Sequence, residues 1–200
     1  EAVAGPAVVD YVAHERARQE ERHAQLQKKR ADIAALLDLP QNVSPAEAWA
    51  AFSRREQQLA QIEEDVREWE KARQKSAAAE LQKHAAGTAA NLLAAHGPSG
   101  AIVSEIPDAD GKTLQAIADA IRPKFDGPIV LGAASGDRVA LLAAVPKTKT
   151  SALQAGKIIA EIAPIVGGRG GGRPDFAQGG GTLPAKLPDA LRRARELIGS

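Results

Sequence analysis

Two hundred residues with 44% hydrophobic content can bury a core in one or two domains, yet only 3% are aromatic, so aliphatic side chains must do the packing. The absence of cysteine excludes disulfides, thiolate metal sites and cysteine nucleophiles, and no apolar run approaches the ~20 residues of a membrane helix. The net charge of +1 hides an uneven distribution: 13 Lys/Arg against 15 Asp/Glu over residues 1–95, 3 against 6 over 96–137, and 10 against 4 over 138–200. Basic charge gathered in the last third favours a polyanionic partner. The chain has no methionine and starts at Glu1, which reads as a piece excised from a longer protein; no signal peptide is visible, and the cytoplasm is the expected location.

Residues 6 to about 38 read as one helix. Pro6 sits near its start, Val8, Val9 and Val12 open its apolar face, and Leu26, Ile33, Leu36 and Leu37 close it. The middle, His14 to Gln25, is almost wholly polar. Pro40 and its neighbours break the pattern. Ser44-Pro45-Ala46-Glu47 is a capping box that starts a second helix, expected to reach about Lys83. Phe52, Leu59 and Val66 follow at heptad spacing, with Ile62 and Trp69 at the other seam position and Arg55 interrupting it. This stripe predicts a helical hairpin or short coiled coil, and Phe52, Leu59, Ile62, Val66 and Trp69 are the candidate dimerisation residues.

Gly87 and the cluster His96-Gly97-Pro98-Ser99-Gly100 mark the change to a compact domain. Residues 101–106 read as a strand and 111–124 as an amphipathic helix with Leu114, Ile117, Ala118 and Ile121 on one face. Residues 128–132 and 138–145 are two more strands, joined as a hairpin through Gly136-Asp137. A helix over 151–165, a short strand over 176–178 and a final helix over 187–198 complete an α+β domain with a mixed sheet.

Residues 167–181 read GGRGGGRPDFAQGGG, holding eight of the 18 glycines. Glycine gains a core nothing; it offers bare backbone and room for a ligand's close approach. A Walker A loop needs Lys then Ser or Thr after its last glycine, and here Arg173 and Pro174 follow Gly172. A dinucleotide fingerprint counted from Gly168 meets Arg173 where its third glycine belongs. The run therefore reads as an ordered glycine-rich loop touching an anionic polymer. Arg169, Arg173, Lys147 and Lys149 are candidate phosphate contacts, Gly170, Gly171 and Gly172 offer backbone N–H groups, and Gln178 is a candidate base or ribose contact. The bland alternatives are a flexible linker for the glycines and internal ion pairs for the arginines.

The run GGRGGGRPDFAQGGG resembles the glycine-rich signature near the C-terminus of alanyl-tRNA synthetases, and Glu1-Ala2-Val3-Ala4-Gly5 resembles the last strand of that family's editing domain. The order between them, a long helical segment and then a small α/β domain, is similar too. A related domain with His where Arg173 stands occurs in DHH phosphoesterases. The resemblance implies a tail of the editing domain at 1–5, a helical linker and dimerisation segment at 6–95, and a DHHA1-like RNA-binding domain at 96–200. It further implies a parent that attaches alanine to tRNA with ATP and edits mischarged tRNA. ATP, magnesium and zinc would belong to its upstream domains, with no cofactor expected in this piece. The implied partner is alanine-specific tRNA, held at its outer corner, with a homodimer possible and no membrane.

No self-contained catalytic or metal site is expected. His14, His23, His84 and His96 are scattered and lack cysteine partners, and Asp175 is the only acid in the glycine region. The competing functional readings are the substrate-binding domain of a DHH-type nuclease, against which Arg173 counts, and a purely structural dimerisation module.

Overall fold

The computed structural model describes residues 6–40, 44–97 and 100–199, so the resemblance carried by Glu1–Gly5 lies outside the described residues. The chain forms two units, Glu1–Ser76 and Ala77–Ser200.

In the first unit, α1 spans Pro6–Lys29 and stops short of the expected position 38. Residues 33–40 continue as non-helical chain in which Ile33, Leu36 and Leu39 are half-buried. A repeat of three in an extended strap nearly matches the spacing of a helix face, which explains the longer helix read from the sequence. α2, Pro45–His96, begins on the expected capping box: the Ser44 N–H donates to Glu47 Oε2 at 2.9 Å and the Glu47 N–H to Ser44 Oγ at 3.4 Å. The Ser44 hydroxyl also donates to Glu47 Oε2 at 2.7 Å, and this bond, with that from the Ser44 N–H, holds the Glu47 carboxyl below its usual pKa.

The two helices do not form a hairpin. Gln19 donates to the Phe52 carbonyl at 3.4 Å and to Glu56 at 3.2 Å, Arg22 pairs with Glu56 and, at 2.8 Å, with Glu63, and Lys29 pairs with Glu70 at 3.4 Å. Partner numbers rise together along both helices, so α1 and α2 run in the same direction. The intervening strap makes the return trip, held where Gln58 donates to the Ala35 carbonyl and accepts from the Leu37 N–H, both at 2.8 Å. An extended residue covers ~3.3 Å and a helical one ~1.5 Å, so a strap of modest length can retrace the helix. The expected seam is buried within this one chain: Leu59 is 0%, Val66 1% and Ile62 7% exposed. Phe52 and Trp69 are half-buried, and the guanidinium groups of Arg30 and Arg73 lie 5.8 and 5.4 Å from the Trp69 ring centre.

The second unit begins inside α2, earlier than the expected 96, because Ala85 and Ala89 already belong to the core beneath the sheet. Gly87 is an interior residue of α2, and the helix ends only at His96, before Gly97. The strands are β1 Ile102–Glu105, β2 Ile129–Ser135, β3 Arg138–Ala144, β4 Arg169–Gly172 and β5 Phe176–Gly181. They form a mixed sheet in the order β1-β2-β3-β5-β4, with β1 parallel to β2 and every other pair antiparallel. Gly136, in the expected β2–β3 turn, takes φ +58°, the conformation a two-residue hairpin asks of its first turn residue.

Side chains alternate across the sheet with the period of two that a pleat dictates. Ile102, Ile129, Leu131, Leu142 and Ala144 face one side, packing with Ala85 and Ala89 of α2 and with Leu114, Ile117 and Ile121 of α3, Gly111–Ile121. Val103, Val130, Val139, Leu141 and Ala143 face the other, packing with Ile158, Ile159 and Ile162 of α4, Ala155–Ile162, and with Leu187, Ala190 and Leu191 of α5, Leu187–Gly199. Helices thus lie on both faces, an α+β arrangement with a mixed sheet as expected from the sequence. The expected helix over 151–165 is shorter because Pro164 belongs to a 3-10 turn, Ala163–Val166.

Candidate nucleic-acid interface

The glycine run is not a loop. It is the β4–β5 hairpin, paired Arg169 with Gly180, Gly170 with Gly179, Gly171 with Gln178 and Gly172 with Ala177. Reading glycines as loop residues missed β4 entirely, because a strand signal rests on side chains that these residues do not have.

Most of the glycines are there for packing. A Cβ on Gly170 or Gly179 would come within 2.4 or 2.8 Å of Ile159 Cγ2, so α4 lies directly on their backbone. One on Gly168 would sit 1.6 Å from the Gly180 carbonyl oxygen, and one on Gly181 2.0 Å from that of Val166. Gly172 would meet the Phe176 carbonyl oxygen at 2.6 Å. Gly171 differs: nothing lies within 4 Å of where its Cβ would be. It points away from α4, with its strand neighbours Arg169 and Gln178 on the same side of the hairpin.

That side is open. Arg169, Gly171 and Gln178 are exposed, and Phe176, two residues before Gln178 on the same face, is half-buried. Arg169 and Gln178 have no side-chain hydrogen bond or ion pair among the described residues. Phe176 was not singled out from the sequence, although its period-two spacing from Gln178 carried the signal.

The hairpin tip is pinned. The Pro174 carbonyl accepts from the Ala155 N–H at 2.8 Å, at the start of α4, and the Asp175 carbonyl accepts from the Val145 N–H at 3.0 Å. Arg173 stands out from this tip with its side chain 75% exposed and its Nε 3.3 Å from Asp175 Oδ1, the orienting role expected of that carboxylate. The Val145 bond brings the turn Lys147–Lys149 beside the tip. Its two lysines part company there. Lys147 is exposed and without a partner among the described residues, whereas the Lys149 ammonium donates to the Asp126 carbonyl and braces the fold. The site thus gathers Arg169, Gly171 and Gln178 on one strand face, with Arg173 and Lys147 at the hairpin tip.

Residues 99–200 match the DHHA1 domain family. The chain belongs to that family. It is also similar to two alanine–tRNA ligases. It is 37% identical to that of Idiomarina loihiensis over 139 residues, which are 69% of this chain and 16% of the relative. It is 38% identical to that of Anaeromyxobacter dehalogenans over 143 residues, 71% of this chain and 15% of the relative. The chain therefore spans only about a sixth of these relatives' length. Among solved structures it is similar to the C-Ala domain of Aquifex aeolicus alanyl-tRNA synthetase, at 27% identity and a TM-score of 0.47, over 50% of this chain and 91% of that one. Among the described residues no helix is long and apolar enough to cross a membrane, and no three His, Cys, Asp or Glu side chains gather as a metal site.

Proposed function

We propose that this chain is the tRNA-holding C-terminal part of an alanine–tRNA ligase, and that it grips RNA with the open face of the β4–β5 hairpin. Gly171 carries this reading. Glycine inside a strand costs roughly 0.5–1 kcal/mol relative to alanine, and nothing in this chain requires it at 171. A ligand that must reach the backbone does. The unpaired guanidinium of Arg169 and the ammonium of Lys147 suit phosphate oxygens, and Arg173, held by Asp175, offers a third cation. Gln178 supplies an amide for a ribose or base edge. The RNA is alanine-specific tRNA met at its outer corner, where shape and backbone contacts dominate recognition. Aminoacylation, editing, ATP, magnesium and zinc belong to other parts of the ligase, which works in the cytoplasm.

Two alternatives receive less support. A homodimer through Leu59, Ile62 and Val66 would first have to expose side chains that this single chain already buries. A DHH-type nuclease role calls for His where Arg173 stands, and short oligonucleotides with manganese should not be cleaved by this chain.

The test is tRNA binding at several salt concentrations. Arg169→Ala should weaken binding and reduce the salt slope by about one ion. Gly171→Val should weaken binding with the slope unchanged, because it blocks approach without altering charge. Parent-like binding by both folded variants would leave the open face with no part in RNA recognition.

A further inference from the structure

On the same side of the sheet as the open hairpin face lies a cleft of about 380 Å³, at the low end of ligand-pocket size. Phe125, Ile129, Ala144 and Val145 are among its lining residues, each no more than 5% exposed, and Arg122 and Asp126 bring charge to its rim. Ala144 is the register partner of Phe176, and Phe176 shares its strand face with Gln178, so the cleft lies beside the strand that carries the open face. The mouth is cross-braced. The Val145 N–H bond to the Asp175 carbonyl ties one wall to the hairpin tip, and Lys149 bonded to the Asp126 carbonyl ties the other to the turn that carries Lys147.

We infer that this cleft is a nucleobase subsite: it takes one unstacked base of the bound RNA, a base carrying an exocyclic amino group, with that nucleotide's phosphate near Lys147. The inference rests on the RNA-holding reading above. An apolar floor suits the uncharged surface of an unstacked base, the part of RNA that single-strand recognition exposes. The Asp126 carboxylate, which has no partner among the described residues, is an acceptor at the rim. A carboxylate accepts from the exocyclic amino group that cytosine, adenine and guanine carry, whereas uracil offers it only the ring N3–H between two carbonyls, whose oxygens it repels. Arg122, 3.6 Å from Asp119, is the rim's donor for a carbonyl or ring nitrogen. Both charged residues are exposed, so replacing them leaves the core intact.

The test titrates the 200-residue chain with cytidine, adenosine, guanosine and uridine monophosphates while following the resonances of Phe125, Ile129 and Ala144. At least one amino-bearing nucleotide should shift them saturably, uridine monophosphate should not, and Asp126→Ala should abolish the difference. Asp126→Ala should also weaken tRNA binding several-fold with the salt slope unchanged, as for a lost base contact. Three outcomes overturn the subsite: no saturable shift with any nucleotide, equal shifts with uridine monophosphate, or tRNA binding that leaves these resonances unmoved. The hairpin reading fails separately, when Arg169→Ala and Gly171→Val leave tRNA affinity alone. Nucleotide shifts at Phe125 would then still support the cleft.

Discussion

The helical unit and the sheet unit are specified by different physics. Of the described residues, both buried polar or charged side chains, Gln19 and Arg55, lie in the helical unit. Gln19 Oε1 and Arg55 Nε have no hydrogen-bond partner there, and the unit is laced by Arg22 to Glu56 and Glu63 and by Arg55, 3.6 Å from Glu20. Among the described residues the sheet unit buries apolar side chains alone, and it sets its tightest approaches by leaving side chains out, at Gly168, Gly170, Gly179 and Gly181. Ion pairs flank the apolar seam of the first, and missing side chains set the closest approaches of the second. A scaffold fixed by volume presents an open face rigidly, as a recognition surface requires; a seam flanked by ion pairs responds in part to pH and salt.

Leu59→Asp should show the largest effect on that contrast. It buries a carboxylate at a position with 0% exposure and removes a leucine from the seam, at a cost of roughly 5 kcal/mol. Both tryptophans, Trp49 and Trp69, belong to the helical unit, so tryptophan fluorescence reports on it alone. The emission should change to that of exposed indole while the amide resonances of the sheet stay put. Loss of the sheet at the same time would mean the two units fold as one. Gly168→Ala comes next. Its Cβ would meet a backbone oxygen at 1.6 Å, and separating the strands should cost about 3 kcal/mol of sheet stability. Gly171→Ala, with open space, should be neutral or slightly stabilising by thermal melting. Equal melting temperatures for the two variants would show that volume does not set the hairpin.

These differences also explain what could be read from the sequence. The apolar strands at 129–135 and 138–144, flanking the Gly136-Asp137 turn, the capping box at Ser44 and the helix at 187–199 announce themselves through apolar runs, turn residues, helical period or cap chemistry. β4 did not, because four residues of which three are glycine carry no alternation to read. The strap failed for the opposite reason: Ile33, Leu36 and Leu39 carry a pattern that two conformations share. The direction of α2 relative to α1 depends on side-chain pairs such as Arg22 with Glu63, which no local signal encodes. Within the candidate site, Arg169, Arg173, Gln178, Lys147 and Lys149 could be singled out as polar groups in or near the glycine run, but which of them lack partners could not. The distinction between Gly171 and its neighbours was not, since it depends on where α4 comes to rest.

The smallest expected effect is the response to acid, which the charge-laced unit should show more strongly. Hydrogen bonds from Arg22 hold the Glu56 carboxyl below its usual pKa, against a smaller opposing effect of burial. Arg16 does the same for Glu20, Arg30 for Asp32, and Ser44 for Glu47. In the sheet unit the lowered carboxyls are Asp110, at the start of α3, and Asp189, beside Lys186. A carboxyl whose pKa is lower in the folded chain than in the unfolded one binds its proton more readily when unfolded. Its contribution is complete above the ordinary carboxylate range and disappears as pH falls through the lowered folded value. All six are solvent-facing, so each contribution is small and screened. Thermal melts from neutral pH down through the carboxylate range should therefore lower the tryptophan-monitored transition more than the sheet's amide transition. Glu56→Gln should flatten part of that slope. A larger acid shift in the sheet than in the helices would reverse the assignment of charge to one unit and volume to the other.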